Sequence, residues 1–339
     1  MSERSALIGR FIRQAGWGDA EQEPLPGDAS FRRYVRLRGA DKRTAMLMDA
    51  PPQENARAYL SVARLLRRLG FGAPAIFNQD AEHGLLLLED FGDETYTRLL
   101  ARGEAEEPLY ALAVDVLIAL RRRFDAKEVK AAKFLPPYDD TRLLDEAALL
   151  VDWYWPSVTG GAVDSALRAE YLALWEDLLP AARKIPATLA LRDYHVDNLM
   201  RVRNRKGLLA CGLLDFQDAV VGPPSYDLVS LLEDARRDVP LDLAGCMKQR
   251  YLAAFPEIDH AAFGASYAIL GAQRSAKIVG IFTRLCVRDG KPQYLEHIPR
   301  VWRLLQQDLA HPALAPIAAW FAHHIPEAER RIPPCRPAA

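Results

Sequence analysis

Cysteine is scarce in this chain of 339 residues: the four present, Cys211, Cys246, Cys286 and Cys335, lie 35 or more residues apart. There is no CxxC pair and no Cys/His pair at finger spacing, which argues against a structural zinc site. Widely spaced thiols of this kind fit a reducing cytosol, and free thiols are expected. Long apolar runs are missing too. Leu85 to Leu88, and Ala111 to Leu120 with Asp115 inside, fall well short of the ~20 residues that span a bilayer. The opening MSERSALIGRF has no apolar stretch of signal-peptide length, so a soluble cytoplasmic protein is expected. Charge of one sign is lacking as well: the net value is −1, which sets aside a molecule-wide electrostatic trap for nucleic acid. No repeat of fixed period and no biased tract appears. What is present is a composition 50% hydrophobic and 26% charged, too apolar for low-complexity disorder. A chain of this length suits two lobes that bury roughly 75% of the unfolded surface without a staple.

The first ninety residues read as strands and one helix. Ser30 to Arg38, a turn at Gly39-Ala-Asp41, and Thr44 to Met48 form a hairpin pattern. Pro51-Pro52 opens a helix whose apolar face is Tyr59, Val62, Leu65, Leu66 and Leu69, ended by Gly70. Leu85 to Leu88 is a short apolar strand. Beyond Gly92 the periodicity is helical over Pro108 to Phe124, Ser165 to Leu179, Leu241 to Phe255 and Ala261 to Leu285, with strand and loop only at Thr188 to Phe216. Strands segregated from helices predict an α+β protein with a small strand-rich lobe, residues 1–92, and a larger helical lobe, residues 93–339.

The chemistry concentrates in Leu189-Ala-Leu-Arg192-Asp193-Tyr-His195-Val-Asp-Asn198-Leu-Met200, where Asp193 and Asn198 stand in D-x4-N spacing. Leu199 to Val202, a turn at Asn204 to Gly207, and Leu208 to Leu214 then send the chain out and back. Asp215 thereby returns to the neighbourhood of Asn198. An amide and a carboxylate converging beside a further carboxylate are hard oxygen donors suited to Mg2+, which is held by one or two protein groups plus phosphates. This donor set serves phosphoryl transfer from ATP. One Asp orients the attacking hydroxyl, and Asn and Asp hold metal across the phosphates. For each residue the bland alternative is turn or cap chemistry.

The segment resembles the H-x-D-x-H-x-x-N loop of the aminoglycoside phosphotransferase and choline kinase family, with a protein-kinase-like fold. The resemblance runs from about Gly27 to about Glu233. It implies a catalytic role for Asp193 and metal-ligand roles for Asn198 and Asp215. Arg192, His195 and Asp227 (within Gly222-Pro-Pro-Ser-Tyr-Asp227) would brace the loop. Leu88, Glu89, Asp90 and Phe91 would form the interlobe hinge that meets the adenine, and Ala29, Ser30 and Phe31 would offer backbone N–H groups to the phosphates. Two positions depart from the family. Leu191 stands at the first His of the loop. Met48 stands where strand Thr44 to Met48 should carry a phosphate-binding lysine. Arg32, Arg33, Lys42 and Arg43 are candidate replacements, metal ions doing most of the work is the alternative, and the role of Glu54, which would pair with that lysine, is open. Gly27 to Tyr34, Leu47 to Pro52 and Leu191 to Asn198 together resemble a narrower group, the anomeric sugar kinases of bacterial cell-wall recycling. These phosphorylate the C1 hydroxyl of N-acetylmuramate and N-acetylglucosamine.

Other features support two readings each. Gly27 to Tyr34 has one glycine rather than three and equally reads as a plain hairpin turn. The aromatic run Trp153-Tyr154-Trp155 offers rings for a sugar face, or packs in a core. Asp152 reads as a sugar contact or a solvated carboxylate. The basic run Arg274, Lys277, Arg284, Arg288, Lys291, Arg300 and Arg303 is a solvated face or a site for an anion such as a lactate carboxylate. Glu233, Asp234 and Arg274 are added as acceptor-site candidates. The rival functions are an antibiotic phosphotransferase and, from another class, a pseudokinase-like nucleotide-binding module, which Met48 favours. Nucleic-acid and membrane partners are set aside, and oligomeric state is not legible.

Overall fold

The computed structural model describes residues 3–26, 31–51 and 54–335. Its strands are β1 (Glu21–Pro24), β2 (Arg33–Arg38), β3 (Thr44–Asp49), β4 (Ile76–Asp80), β5 (Leu85–Glu89), β6 (Thr188–Ala190), β7 (Leu199–Arg201), β8 (Cys211–Leu213) and β9 (Val220–Gly222). The helices are α1 (Glu3–Gln14), α2 (Ala56–Arg68), α3 (Tyr96–Ala101), α4 (Glu106–Arg123), α5 (Ala126–Ala131), α6 (Asp140–Leu149), α7 (Trp155–Thr159), α8 (Ser165–Ala182), α9 (Ser225–Leu232), α10 (Leu241–Ala253), α11 (His260–Asp289), α12 (Ile298–Leu309) and α13 (Ala315–His324). The chain divides into two compact units, residues 1–116 with 196–219, and residues 117–195 with 220–339. The first division falls inside α4, and the second inside the loop that carries Asp193.

The first unit is built on an antiparallel five-stranded sheet in the order β1-β2-β3-β5-β4. Successive strand residues point to opposite faces. Leu37, Ala45, Leu47, Leu85 and Leu87 share one face and are buried with Phe11, Ile12 and Trp17 from the α1 end of the chain. The other face carries Tyr34, Arg36, Met46, Met48, Leu86 and Leu88, as the directly opposed pairs Tyr34–Met48, Arg36–Met46, Met46–Leu88 and Met48–Leu86 require. Helix α2 starts at Ala56, after Asn55 accepts a hydrogen bond from Ala58 N–H, rather than at the expected Pro51-Pro52. The β7–β8 hairpin joins this unit through backbone contacts: Leu213 N–H donates to Gly72 C=O and Arg201 N–H to Glu94 C=O. Gly72 has no room for a side chain, since a Cβ would meet the Cys211 carbonyl.

The second unit is helical around the 30-residue α11, with one small ladder, β6–β9. Helix α11 is buried along most of its length among α6, α8, α9 and α12. At Gly280 it approaches a π-helical turn, Leu150–Tyr154, so closely that a Cβ would strike the Leu149 carbonyl. Small residues on α11 (Gly271, Ala272, Ala276, Gly280) permit such approaches. The expectation of free thiols fails for one pair: Cys286, near the end of α11, is joined to Cys335 in a disulfide, with Cα atoms 5.8 Å apart. The structure brings together two cysteines that spacing alone could not pair. Cys211 and Cys246 are not in disulfides. No helix among the described residues is long and apolar enough to cross a membrane.

Candidate active site

The candidate residues fall into two sets, one in each unit. In the first unit, Asp215 follows β8 in a left-handed backbone conformation (φ 54°) that side chains rarely adopt and that functional turns often store. Leu214 N–H donates to the Asn198 carbonyl at 2.9 Å, which fixes Asn198 and Asp215 as neighbours across the hairpin base. Their side chains supply two hard oxygen donors. No group of three or more His, Cys, Asp or Glu residues suited to a metal occurs among the described residues. A pair of oxygen donors fits Mg2+, whose remaining positions are filled by phosphates and water, better than a metal that needs an all-protein cage.

Against Asp215 lies Arg32, just before β2 and only 7% exposed. Its Nη2 donates to Asp215 Oδ1 at 2.7 Å, its Nη1 to Gln217 Oε1, and its Nε lies 3.3 Å from Glu54 Oε2. Gln217 in turn donates to Asp215 Oδ1 (3.1 Å) and Asp218 Oδ2 (3.0 Å), and Phe31 N–H donates to Glu54 Oε1 at 3.1 Å. Burial opposes the Arg32 charge, but Tyr34, Asp215 and Glu54 outweigh it and raise its pKa above the ordinary value. Tyr34, half-buried beside it, is pushed up to about 12, chiefly by desolvation. Tyr34 Oη donates to Met48 Sδ at 3.5 Å, so the lysine position is filled by a thioether. Phe216 packs on Tyr59 of α2, with ring centres 4.9 Å apart.

The hinge candidates are held by their side chains. Leu88 is buried. Glu89 N–H donates to Ala75 C=O (2.8 Å), and Ala75 N–H returns a bond to Glu89 Oε2 (3.0 Å), while Arg205 pairs with Glu89 Oε1. Arg36 grips Asp90 through two bonds (2.8 and 3.1 Å) and also reaches Asp93 and the Gly92 carbonyl. Arg205 lies over the Phe91 ring at 5.2 Å. Phe31 is exposed, and Ala29 and Ser30 lie outside the described residues.

In the second unit, the loop after β6 is pinned by Asp227. Its carboxylate accepts the N–H groups of Leu191 (2.6 Å) and Arg192 (2.8 Å). Burial nevertheless pushes the Asp227 pKa up to about 7. Arg192 has φ 70° and pairs with Glu146 of α6. Glu146 also accepts from Tyr138 Oη (2.6 Å) and from Lys277 Nζ (3.1 Å), and Lys277 lies 3.4 Å from Tyr226 Oη. Around half-buried Asp193, burial works against the charge. Lys277, His195, Arg192 and Arg274 outweigh it and hold the carboxyl below the usual carboxylate range. His195 is itself shifted down by burial, and its Nε2 is 3.4 Å from Arg236 Nη1.

The acceptor-site candidates are not equally placed. Arg274 is buried on α11 and donates to Ser230 Oγ (2.9 Å) and toward the Glu233 carbonyl (3.4 Å). Half-buried Glu233 lies beside buried Asp308; burial raises the pKa of each, and Glu233 pushes Asp308 up further. Asp234 is buried beside the loop. Trp155 packs against the helical core and Trp153 is half-buried in the π-helical turn. Asp152 is engaged in a two-pronged ion pair with Arg168. The basic run is not one face: Arg274 and Lys277 are interior, whereas Arg288 pairs with Asp289, and Arg300 and Arg303 with Asp238. Glu146 was overlooked in the sequence. Its signal was a charge at the apolar helix spacing of Leu143, Ala147 and Leu150, all buried.

A five-stranded antiparallel sheet unit and a helical unit with a pinned aspartate loop make a protein-kinase-like phosphotransferase fold. Solved structures agree. The GDP complex of wild-type aminoglycoside 2'-phosphotransferase-IIIa superimposes with a TM-score of 0.61 at 15% identity, covering 91% of this chain and 99% of that one. Choline kinase from Cryptosporidium parvum gives 0.54 at 14%, covering 92% and 99%. Residues 21–263 match the model of the phosphotransferase enzyme family, and the chain belongs to that family. At the sequence level it is similar to two proteins named N-acetylmuramate/N-acetylglucosamine kinase. The one from Caulobacter vibrioides is 37% identical, with 97% of this chain and 99% of the relative covered. The one from Pseudomonas aeruginosa is 38% identical, with 94% and 93% covered.

Proposed function

We propose that this protein is a cytoplasmic ATP- and Mg2+-dependent kinase that phosphorylates the anomeric C1 hydroxyl of N-acetylmuramate and N-acetylglucosamine during cell-wall recycling. The observation that carries this reading is the likeness, over nearly the full length of both chains, to kinases named for those two sugars. In this reading residues 1–92 form the nucleotide lobe and residues 93–339 carry the catalytic loop. The adenine meets the backbone of Leu88 to Phe91, and Asn198 and Asp215 hold Mg2+. The metal supplies charge neutralisation across the phosphates. Asp193 accepts a hydrogen bond from the C1 hydroxyl and orients its oxygen toward the γ-phosphorus. As that oxygen bonds to phosphorus, the bond to the bridging oxygen of ADP breaks and the hydroxyl proton passes to Asp193. An anomeric hydroxyl is more acidic than an ordinary alcohol, so a carboxylate with a low pKa is base enough. Most of the rate gain then comes from positioning and electrostatics. Arg192, His195 and Asp227 keep the loop in place, and buried Arg274 is an acceptor-side cation. Interior cations near Asp193 favour an anionic or neutral acceptor over a polycationic antibiotic.

The test is Mg2+-dependent ADP release with N-acetylmuramate, N-acetylglucosamine, kanamycin and no acceptor. Turnover on the amino sugars alone is the expected result. Turnover on kanamycin alone would put the antibiotic reading first. ATP binding without turnover on any acceptor would favour the pseudokinase.

A further inference from the structure

We infer that Arg32 is the phosphate-binding cation of this protein, delivered from the strand beside the one that normally carries it; the inference rests on the kinase reading above. In protein kinases a strand lysine grips the nucleotide phosphates, is braced by a helix glutamate, and works beside the metal-binding aspartate. Here those two carboxylates, Glu54 and Asp215, both take Arg32. Strand β3 offers no cation on the relevant face, where it places Met46 and Met48. Tyr34 stands directly opposite Met48, and Arg32 is the next residue along the β2 side in the same alternation. The charge therefore arrives from one strand over.

The other cations considered do not reach. Arg33 is exposed and alternates onto the face shared with Val35 and Leu37. Lys42 is exposed in the hairpin turn, at φ 65°. Arg43 pairs with Asp41 and lies over the Trp17 ring, on the α1 side of the sheet. Arg36 is committed to Asp90 and Asp93. Arg32 is also held in a manner that keeps a guanidinium charged and aimed, with two carboxylates and an amide around a planar fork. That fork matches phosphate oxygens, which a lysine would meet as a point charge. Burying this cation costs desolvation, and Glu54 and Asp215 offset it. A role in phosphate binding accounts for keeping the arrangement, and it gives Glu54 its function as the brace.

The experiment compares adenosine, ADP and ATP binding by calorimetry, and steady-state kinetics, for wild type, Arg32→Gln, Arg32→Lys and the double variant Arg32→Gln/Met48→Lys. Arg32→Gln should lose ADP and ATP affinity and roughly 10²-fold in kcat, the scale of removing one aimed donor from a transferring group. Adenosine affinity and the sugar KM should hold, because neither ligand carries the transferred phosphates. Arg32→Lys should retain part of the loss, and Met48→Lys in the double variant should recover part. Unchanged ATP affinity and kcat in folded Arg32→Gln would overturn the proposal. So would equal losses for adenosine and ATP, which mark a structural role. If Arg32→Gln does not fold, Arg32→Lys decides by the same ratio: a selective loss for ATP supports the proposal and an unchanged ratio overturns it. A wild type that binds no nucleotide would instead sink the kinase reading itself.

Discussion

Asp215 and Asp193 are the two carboxylates on which the proposed function rests, and they lie in different surroundings. Asp215 accepts from a buried guanidinium and from Gln217, in a left-handed turn. Asp193 is surrounded by Lys277, His195, Arg192 and Arg274, drawn from α11 and its own loop. The first carboxylate is met by a direct charge-assisted hydrogen bond, and the second lies in the field of several cations. That contrast predicts which single substitutions are severe and which are graded.

The largest loss should come from removing the carboxylate that no neighbour replaces. Asp193→Asn should lower kcat by about 10²–10⁴, with ADP affinity in calorimetry unchanged. A folded variant with full turnover would sink the mechanism. Glu54→Gln comes next. It leaves Arg32 its bond to Asp215 but weakens the brace, and should cost about tenfold in ATP affinity, the scale of a hydrogen bond between charged groups. A loss as large as that of Arg32→Gln would mean that the two residues act as one. Lys277→Met should be milder: at pH 8 kcat/KM falls roughly threefold, because the remaining cations still favour the ionised Asp193. Its diagnostic is the pH profile. Lys277 lowers the Asp193 pKa, so its loss raises that pKa, and the acid limb of kcat/KM should move to higher pH. An unmoved acid limb would remove Lys277 from the charge of Asp193. Smallest in activity is Gly280→Ala, which overpacks α11 against Leu149. It should destabilise by about 1–3 kcal/mol, read as a lower thermal midpoint. Gly245→Ala on α10, where a Cβ meets nothing within 4 Å, should raise that midpoint slightly.

The fold was legible where periodicity was strong. The hairpin, the apolar strand β5 and the long helices α4, α8, α10 and α11 follow directly from the spacing of their apolar residues. Strand β1 reads Glu-Gln-Glu-Pro and is exposed throughout. It exists because β2 offers an edge to pair with, which no local pattern announces. The π-helical turn at Leu150–Tyr154 reflects packing against α11 rather than local preference. In the candidate site, Asp193, Asn198 and Asp215 stood out because their spacing is local. Arg32 did not stand out from Arg33, Lys42 and Arg43. Which of four neighbouring cations turns inward depends on strand register and on partners up to 185 residues away. Lys277 was hidden for the opposite reason: it sits in a run of basic residues that equally reads as solvated surface, and only the depth of α11 sets it and Arg274, the one member singled out, apart from the rest.

The division of the chain has a consequence for how the molecule is made. The segment 196–219 completes the first unit, yet it is synthesised only after residues 117–195 of the second unit, which include helices α5 to α8. At ordinary elongation rates, residues 1–116 wait roughly 5–20 s for their missing hairpin. During that interval the Gly72 carbonyl and Glu94 carbonyl, which the hairpin will satisfy, have no hairpin to bond. No single cut in the chain separates the units, so the protein is not to be dissected by truncation. Making either unit alone calls for cuts at all three boundaries and a re-joining of ends.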